Sequence, residues 1–142
     1  TIEMDDNVIS SSNSMMAINL FKFHKLFLDE GYGETSKQML KNVQKDFEER
    51  GQSFSNWLHL VLYLNQNFYE IAIVGKDYKS IGQEIIKSYV PNSILVGSQK
   101  DGNLELLKNR DVPGKTLAYV CIEGACKLPV SNAEEVLKQL AD

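Results

Sequence analysis

A chain of 142 residues, 43% hydrophobic and 24% charged, is long enough to bury one real core or two small ones and too apolar to stay disordered. Its formal charge of −4 comes with lysines interleaved among acids and no basic stripe, which argues against nucleic acid and anionic membrane as partners. No apolar run reaches membrane-spanning length, the acidic start (Glu3, Asp5, Asp6) carries no signal-peptide pattern, and two cysteines are too few for a secreted disulfide scaffold, so the composition points to the cytoplasm.

Ser10, Ser11, Ser12 and Asn13 offer helix-capping side chains whose oxygens accept from orphan backbone N–H groups. A first helix is predicted from Ser14 to about Asp29, with Met16, Leu20, Phe23 and Phe27 on one face and Gly31-Tyr32-Gly33 as its stop. A second is predicted from about Thr35 to Arg50, with the stripe Met39, Leu40, Val43 and Phe47, and Gly51 ends it. The third, about Phe54 to Gln66, is apolar nearly all round (Trp57, Leu58, Leu60, Val61, Leu62, Leu64) and expects cover on most sides.

The period then changes. Tyr69 to Val74 reads as a strand closed by Gly75, about Lys79 to Tyr89 as a helix, and Ser93 to Val96 as a second strand closed by Gly97. Strand, helix and strand at this length form a βαβ unit with parallel strands. A short helix near Leu104 to Asn109, a turn at Val112-Pro113-Gly114, strands at Leu117 to Ile122 and Ala125 to Leu128, and a helix from Ser131 or Asn132 to about Leu140 complete the chain. The predicted class is α/β (mixed α+β). A helical segment, residues 1–67, precedes a small, mostly parallel βαβ sheet with a C-terminal hairpin and helix, residues 68–142. Three helices do not easily bury the whole circumference of the third, and each large side chain left exposed forfeits roughly 1.5–3 kcal/mol. Either the helices wrap onto the sheet, or further helices lie outside this chain.

The segment Val8-Ile9-Ser10-Ser11-Ser12-Asn13-Ser14, followed by Met15-Met16-Ala17 and Asn19-Leu20, resembles a Pro-Ser-Gly-Asn-Ser-type motif that opens a late helix in thioredoxin-domain proteins of the spermatogenesis-associated type, the YyaL-like family. The similarity continues in order through Glu70 to Gly75, Val90-Pro91-Asn92, Ala118 to Cys121, Cys126, Pro129-Val130 and the final helix. It departs at Ser10, where proline is usual, and at Ser12, where glycine is usual. The resemblance implies a C-terminal portion of such a protein. In that family a thioredoxin-like domain precedes a six-hairpin-glycosidase-like α/α toroid related to N-acylglucosamine 2-epimerases. Residues 1–67 would then be the toroid's last helices, and the third helix would pack inside a ring supplied by the rest of the parent chain. Neither the thioredoxin domain nor its cysteine motif lies in this chain.

Cys121 and Cys126 flank Glu123-Gly124, a two-residue hairpin loop that would set Ile122 against Ala125 as the hydrogen-bonded closing pair and the two cysteines against each other as a non-hydrogen-bonded pair, with Cα atoms about 4.5 Å apart. Separate structural thiols, a disulfide or redox pair, and half of a metal site are the readings; the last lacks further ligands, since neither His24 nor His59 has ligand-like spacing to the pair. At a toroid rim Ser11, Asn13 and Ser14 could face a sugar hydroxyl or an anion, or simply cap the helix. His24, among basic residues, reads as solvated. His59 shares a helical face with Asn56 and Tyr63 and reads as either a polar spot lining a cavity or a satisfied core histidine. Gly75 to Ser80 follows a strand and opens a helix, where α/β sheets bind ligands, but lacks the phosphate-loop and dinucleotide spacings. No paired carboxylates or nucleophilic set presents itself, so no catalytic residue, cofactor or metal is expected. The expected role is a non-catalytic C-terminal portion of a redox- or carbohydrate-related protein, partnered by its parent chain. The alternatives are a self-contained small-molecule-binding or thiol-redox module, and an interaction module whose exposed helices bring copies together.

Overall fold

Helix α1, Ser12–Phe27, starts where Ser11 in an extended conformation accepts from the Ser14 N–H through its side chain, the arrangement that satisfies an orphan donor at a helix start. The computed structural model describes residues 3–141, and the chain divides into two units, one ending at Gln66 and one beginning at Asn67. In the first unit α1 is followed by α2 (Glu30–Val43), a short α3 (Phe47–Arg50) between two 3-10 turns, and α4 (Ser55–Asn65).

Helix α1 ends without glycine. Leu28 takes the left-handed conformation, φ 54°, and its N–H closes on the His24 carbonyl. Gly31 and Gly33, expected to stop α1, instead lie inside α2, which Asp29 caps by accepting from the Gly31 N–H. Gly33 permits close helix packing, since a Cβ there would stand 3.0 Å from His24 Cγ. Ser36 extends the same approach by donating to the Ala17 carbonyl at 2.7 Å. His24, expected to be solvated, is buried, with Nδ1 3.0 Å from the Asp29 carbonyl.

The buried face of α1 also differs from the expected stripe. Ala17, Ile18 and Phe21 are buried, whereas Met16, Phe23 and Phe27 are exposed, the last two 42% and 46%. Choosing between two apolar faces depends on where α2 and α4 pack, which helical period does not encode. In α4 the buried positions are Trp57 and Leu60, just after buried Phe54, while Leu58 and Leu62 stay exposed, so the cover expected on most sides is absent among the described residues.

The second unit is a four-stranded sheet in the order β2-β1-β3-β4: β1 Tyr69–Val74, β2 Ser93–Ser98, β3 Leu117–Ile122 and β4 Ala125–Cys126. Helix α5 (Tyr78–Ile85) joins the parallel pair β1 and β2, and α6 (Ala133–Ala141) follows the hairpin. β1 pairs antiparallel with β3, and β3 with β4. The sheet is therefore mixed, where the sequence pointed to a mostly parallel one. Central β1 is buried from Glu70 to Val74, which accounts for its near-continuous apolar run. Ile71 and Ile73 join Ala118 and Val120 of β3, Ile85 of α5 and Val136 of α6 in one core. The alternate residues Glu70, Ala72, Tyr119 and Cys121 occupy the opposite face, since side chains alternate along a strand and Glu70 pairs with Cys121, Ala72 with Tyr119.

Gly75 ends β1 with φ +132°, and a Cβ there would lie 2.5 Å from the Lys115 carbonyl oxygen and from Thr116 Cα. Both the conformation and the contact exclude a side chain. Gly75→Ala is expected to lower the stability of this unit by about 2–3 kcal/mol, read as faster amide exchange throughout β1 and β3 with the protection of α1 unchanged.

Candidate functional site

The hairpin between β3 and β4 turns at Glu123 and Gly124, both at positive φ (50° and 76°), the geometry whose twist matches two flanking strands. Ile122 pairs with Ala125 and Cys121 with Cys126, the register expected from the loop length. The two sulfurs are joined as a disulfide, with Cα atoms 3.9 Å apart, and among the described residues there is no free cysteine. Of the readings the sequence left open, separate thiols are therefore not what the structure contains. Cys121 is buried and Cys126 exposed, so an attacking group reaches the Cys126 sulfur.

Arg110 lies against this bond. Its guanidinium stands 3.3 Å from Cys126 Sγ through Nη2, and 3.6 and 3.7 Å from Cys121 Sγ through Nη1 and Nη2. The same group stacks on the Tyr119 ring, 4.6 Å from its centroid, and the Tyr119 hydroxyl donates to the Arg110 carbonyl. The loop is held by Asp101, whose Oδ1 accepts from the N–H groups of Arg110 and Asp111 at 2.8 and 2.7 Å. Burial pulls the Arg110 pKa below its usual value, and the charges of Tyr119 and Glu70 act the other way. A guanidinium stays charged under such shifts and has only donors to offer.

Glu70 sits on β1 directly opposite Cys121 and is fully buried. Its Oε2 accepts from the Gly124 N–H at 3.0 Å, tying the central strand to the hairpin turn. The hairpin thus combines a disulfide, a cation touching both sulfurs and a buried carboxyl group. An arginine donor forms a weak contact to a neutral sulfur and a charge-assisted one to a thiolate, so the arrangement favours the state that reduction creates.

Sequence reasoning singled out the cysteines and missed their three neighbours. Two signals were present. Tyr119 is two residues before Cys121 and so shares its face of the strand, and Glu70 is the one charge in an otherwise apolar strand, where burial demands a partner. Arg110 carries no such mark, because a loop brings it to the hairpin.

The remaining sequence-predicted residues lie in the first unit. Ser11 and Ser14 are fully buried, and besides the cap between them Ser14 donates to Asp6 Oδ1 at 2.6 Å. Asn13 donates to the Glu3 carbonyl at 2.8 Å. His59 is exposed on α4, its ring 6.4 Å from that of Tyr63. Ser11 and Ser14 thus meet at Asp6, and His59 stands outside that cluster. Among the described residues no group of three or more His, Cys, Asp or Glu side chains is placed to hold a metal, and no helix is long and apolar enough to cross a membrane.

No family model matches the chain, and no solved structure matches it. Among curated proteins it is similar to human spermatogenesis-associated protein 20, 24% identical over 148 aligned positions that take in 95% of this chain and 19% of that protein. The chain thus spans less than a quarter of the length of the curated relative it matches.

Proposed function

We propose that this chain is the C-terminal portion of a longer, cytoplasmic protein of the spermatogenesis-associated thioredoxin-domain type, and that it serves there as a thiol–disulfide element rather than as a self-standing enzyme. The observation that carries the reading is the Arg110 guanidinium in reach of both sulfurs. An external thiolate attacks exposed Cys126 Sγ; the Cys121–Cys126 bond breaks and Cys121 leaves as a thiolate held by Arg110. A second thiolate from the reductant then displaces Cys126 from the mixed disulfide. In total the reductant dithiol becomes a disulfide and two electrons pass to the hairpin; Cys126 takes up one proton, Cys121 stays a thiolate beside Arg110, and the second proton goes to solvent. Arg110 stabilises the thiolate form and so makes the bond easier to reduce.

Equilibration in glutathione buffers, with thiols counted by alkylation and mass, tests this. A single two-electron transition is expected. Arg110→Met is expected to shift it toward the disulfide by about tenfold in equilibrium constant, about 30 mV more negative, while Arg110→Lys shifts it less. An unchanged transition in Arg110→Met would remove the basis for the reading.

An exposed aromatic patch on α1 and the start of α2 supports the companion reading that the parent chain supplies a partner surface. Phe23, Phe27 and Tyr32 pack on one another with centroids 5.8–6.4 Å apart while remaining partly open to solvent. In this reading the remaining helices of an α/α toroid cover that patch, and a second copy occupies it only when the chain stands alone. An antibody raised to this chain is expected to detect a product far larger than 16.1 kDa; a product of 16.1 kDa overturns both the longer-protein reading and the companion one, and leaves the hairpin chemistry to be judged by its own titration.

A further inference from the structure

At the end of the sheet away from the disulfide, three lysines stand in one row. The last paired positions across the three neighbouring strands are Ser98 of β2, Val74 of β1 and Leu117 of β3. Lys100 and Lys76 follow their strands by two residues, and Lys115 precedes its strand by two. Antiparallel β3 therefore delivers its lysine to the same edge as the two parallel strands. The ladder continues toward that edge through the Gly75 N–H, which donates to the Ser98 carbonyl at 3.0 Å.

The three lysines line one cavity of about 410 Å³ with Gly75, Gln99 and the turn at Val112-Pro113-Gly114. Asp111 is the single acid in that lining. None of the three lysines has an ion pair or side-chain hydrogen bond among the described residues. Lys87, Lys108 and Lys138 differ, each pairing with a glutamate three or four positions before it. Like charges brought together across strands repel, and in a chain of net charge −4 their collection at one cavity is not a consequence of overall composition. The carboxyl ends of parallel strands are also where open α/β sheets hold their ligands.

We infer that this cavity binds a small polyvalent oxyanion, specifically the phosphate or diphosphate group of a soluble phosphorylated molecule. Lys76, Lys100 and Lys115 supply the charge as separate point donors, and the Gln99 amide adds a neutral donor. Asp111 sets the net charge of the lining at +2, from the three lysines and one acid, and disfavours ligands that bring no more than a single negative charge.

Calorimetric titration of the full chain with inorganic pyrophosphate at low ionic strength tests the proposal. Saturable one-site binding is expected, weakening as salt is added. Each single change, Lys76→Gln, Lys100→Gln or Lys115→Gln, is expected to weaken it about threefold, and the triple variant about thirtyfold. The lysines are exposed, so the variants keep the fold, which circular dichroism verifies. A control triple, Lys37→Gln, Lys41→Gln and Lys45→Gln, removes the same charge from the helical unit and is expected to leave binding unchanged. Absence of saturable binding, equal loss in both triples, or binding to anionic vesicles without binding to free pyrophosphate would each overturn the assignment.

Discussion

Replacing Asp6 with alanine is expected to destabilise the helical unit by about 3–5 kcal/mol, because four donors converge on this buried carboxylate. Oδ1 accepts from the Ser11 N–H at 3.0 Å, the Ser14 hydroxyl at 2.6 Å and the Asn56 side-chain amide at 3.0 Å, and Oδ2 accepts from the Asn56 N–H at 2.8 Å. The first two come from the start of α1 and the others from the start of α4, so one side chain ties both helix beginnings to the segment before them. Only an acceptor-only group serves all four. Asp6→Asn, which turns an NH₂ toward at least one donor, is expected to cost about 2 kcal/mol.

The same site makes this stability depend on pH. Burial, the largest single influence, pushes the Asp6 pKa up; the hydrogen bonds from Ser14, Asn56 and the Ser11 and Asn56 backbone together outweigh it, and the net position lies below the usual value of 3.8. A carboxyl group with a lowered folded pKa contributes stability that is fully present above its unfolded pKa and is lost as pH falls through the folded one. The gap between the native chain and Asp6→Asn is therefore expected to hold from neutral pH down to about 4 and to narrow below it. Urea unfolding at each pH, followed by fluorescence of the chain's single tryptophan, Trp57, reads the helical unit directly. A gap that stays constant into acid would show that the carboxylate's charge does not act in this way.

Trp57→Ala is expected to cost a similar amount, about 3–5 kcal/mol. The indole is fully buried on α4, with Phe54 and Leu60, three positions to either side, also fully buried, and its Nε1–H donates to the Met4 carbonyl at 2.8 Å. Removal leaves a large void and releases a second tether on the segment that carries Asp6. Such a loss is a large fraction of the stability of a unit this small, so the alanine variant is expected to unfold far below the temperature of the native chain. Trp57→Phe keeps most of the volume and loses the hydrogen bond, with an expected cost of about 1–2 kcal/mol. Urea unfolding followed by far-ultraviolet circular dichroism compares all three chains. A cost below 1 kcal/mol for the alanine variant would mean that the neighbours collapse into the void.

The sites differ in how far they were legible. The register that sets Cys121 opposite Cys126 was open to inspection because two residues lie between Ile122 and Ala125, and loop length sets hairpin register; the bond between them was one of several readings until the structure showed it. The three lysines were not, because their common row exists only once β1, β2 and β3 are placed side by side. The capping role of Ser11 was visible beside a ligand-facing one, but Asp6, which holds Ser14 and Asn56 together, accepts from residues five to fifty positions away.

The sequence by itself determined the order of the main helices and strands, the parallel relation of β1 and β2, and the hairpin register, since period, capping and turn chemistry act over a few residues. The single helix expected from about Thr35 to Arg50 is instead α2, ending at Val43, and a separate α3, and the one expected near Leu104 to Asn109 is a 3-10 turn. Only the tertiary structure decided that α1 buries Ala17, Ile18 and Phe21 and leaves Phe23 and Phe27 exposed, that Gly33 lies against His24 within a helix pair, and that Arg110 reaches the disulfide from a loop. Burial of a face, close approach of two backbones and the partner of a charge are properties of pairs of elements, and no local pattern along the chain encodes which elements will meet.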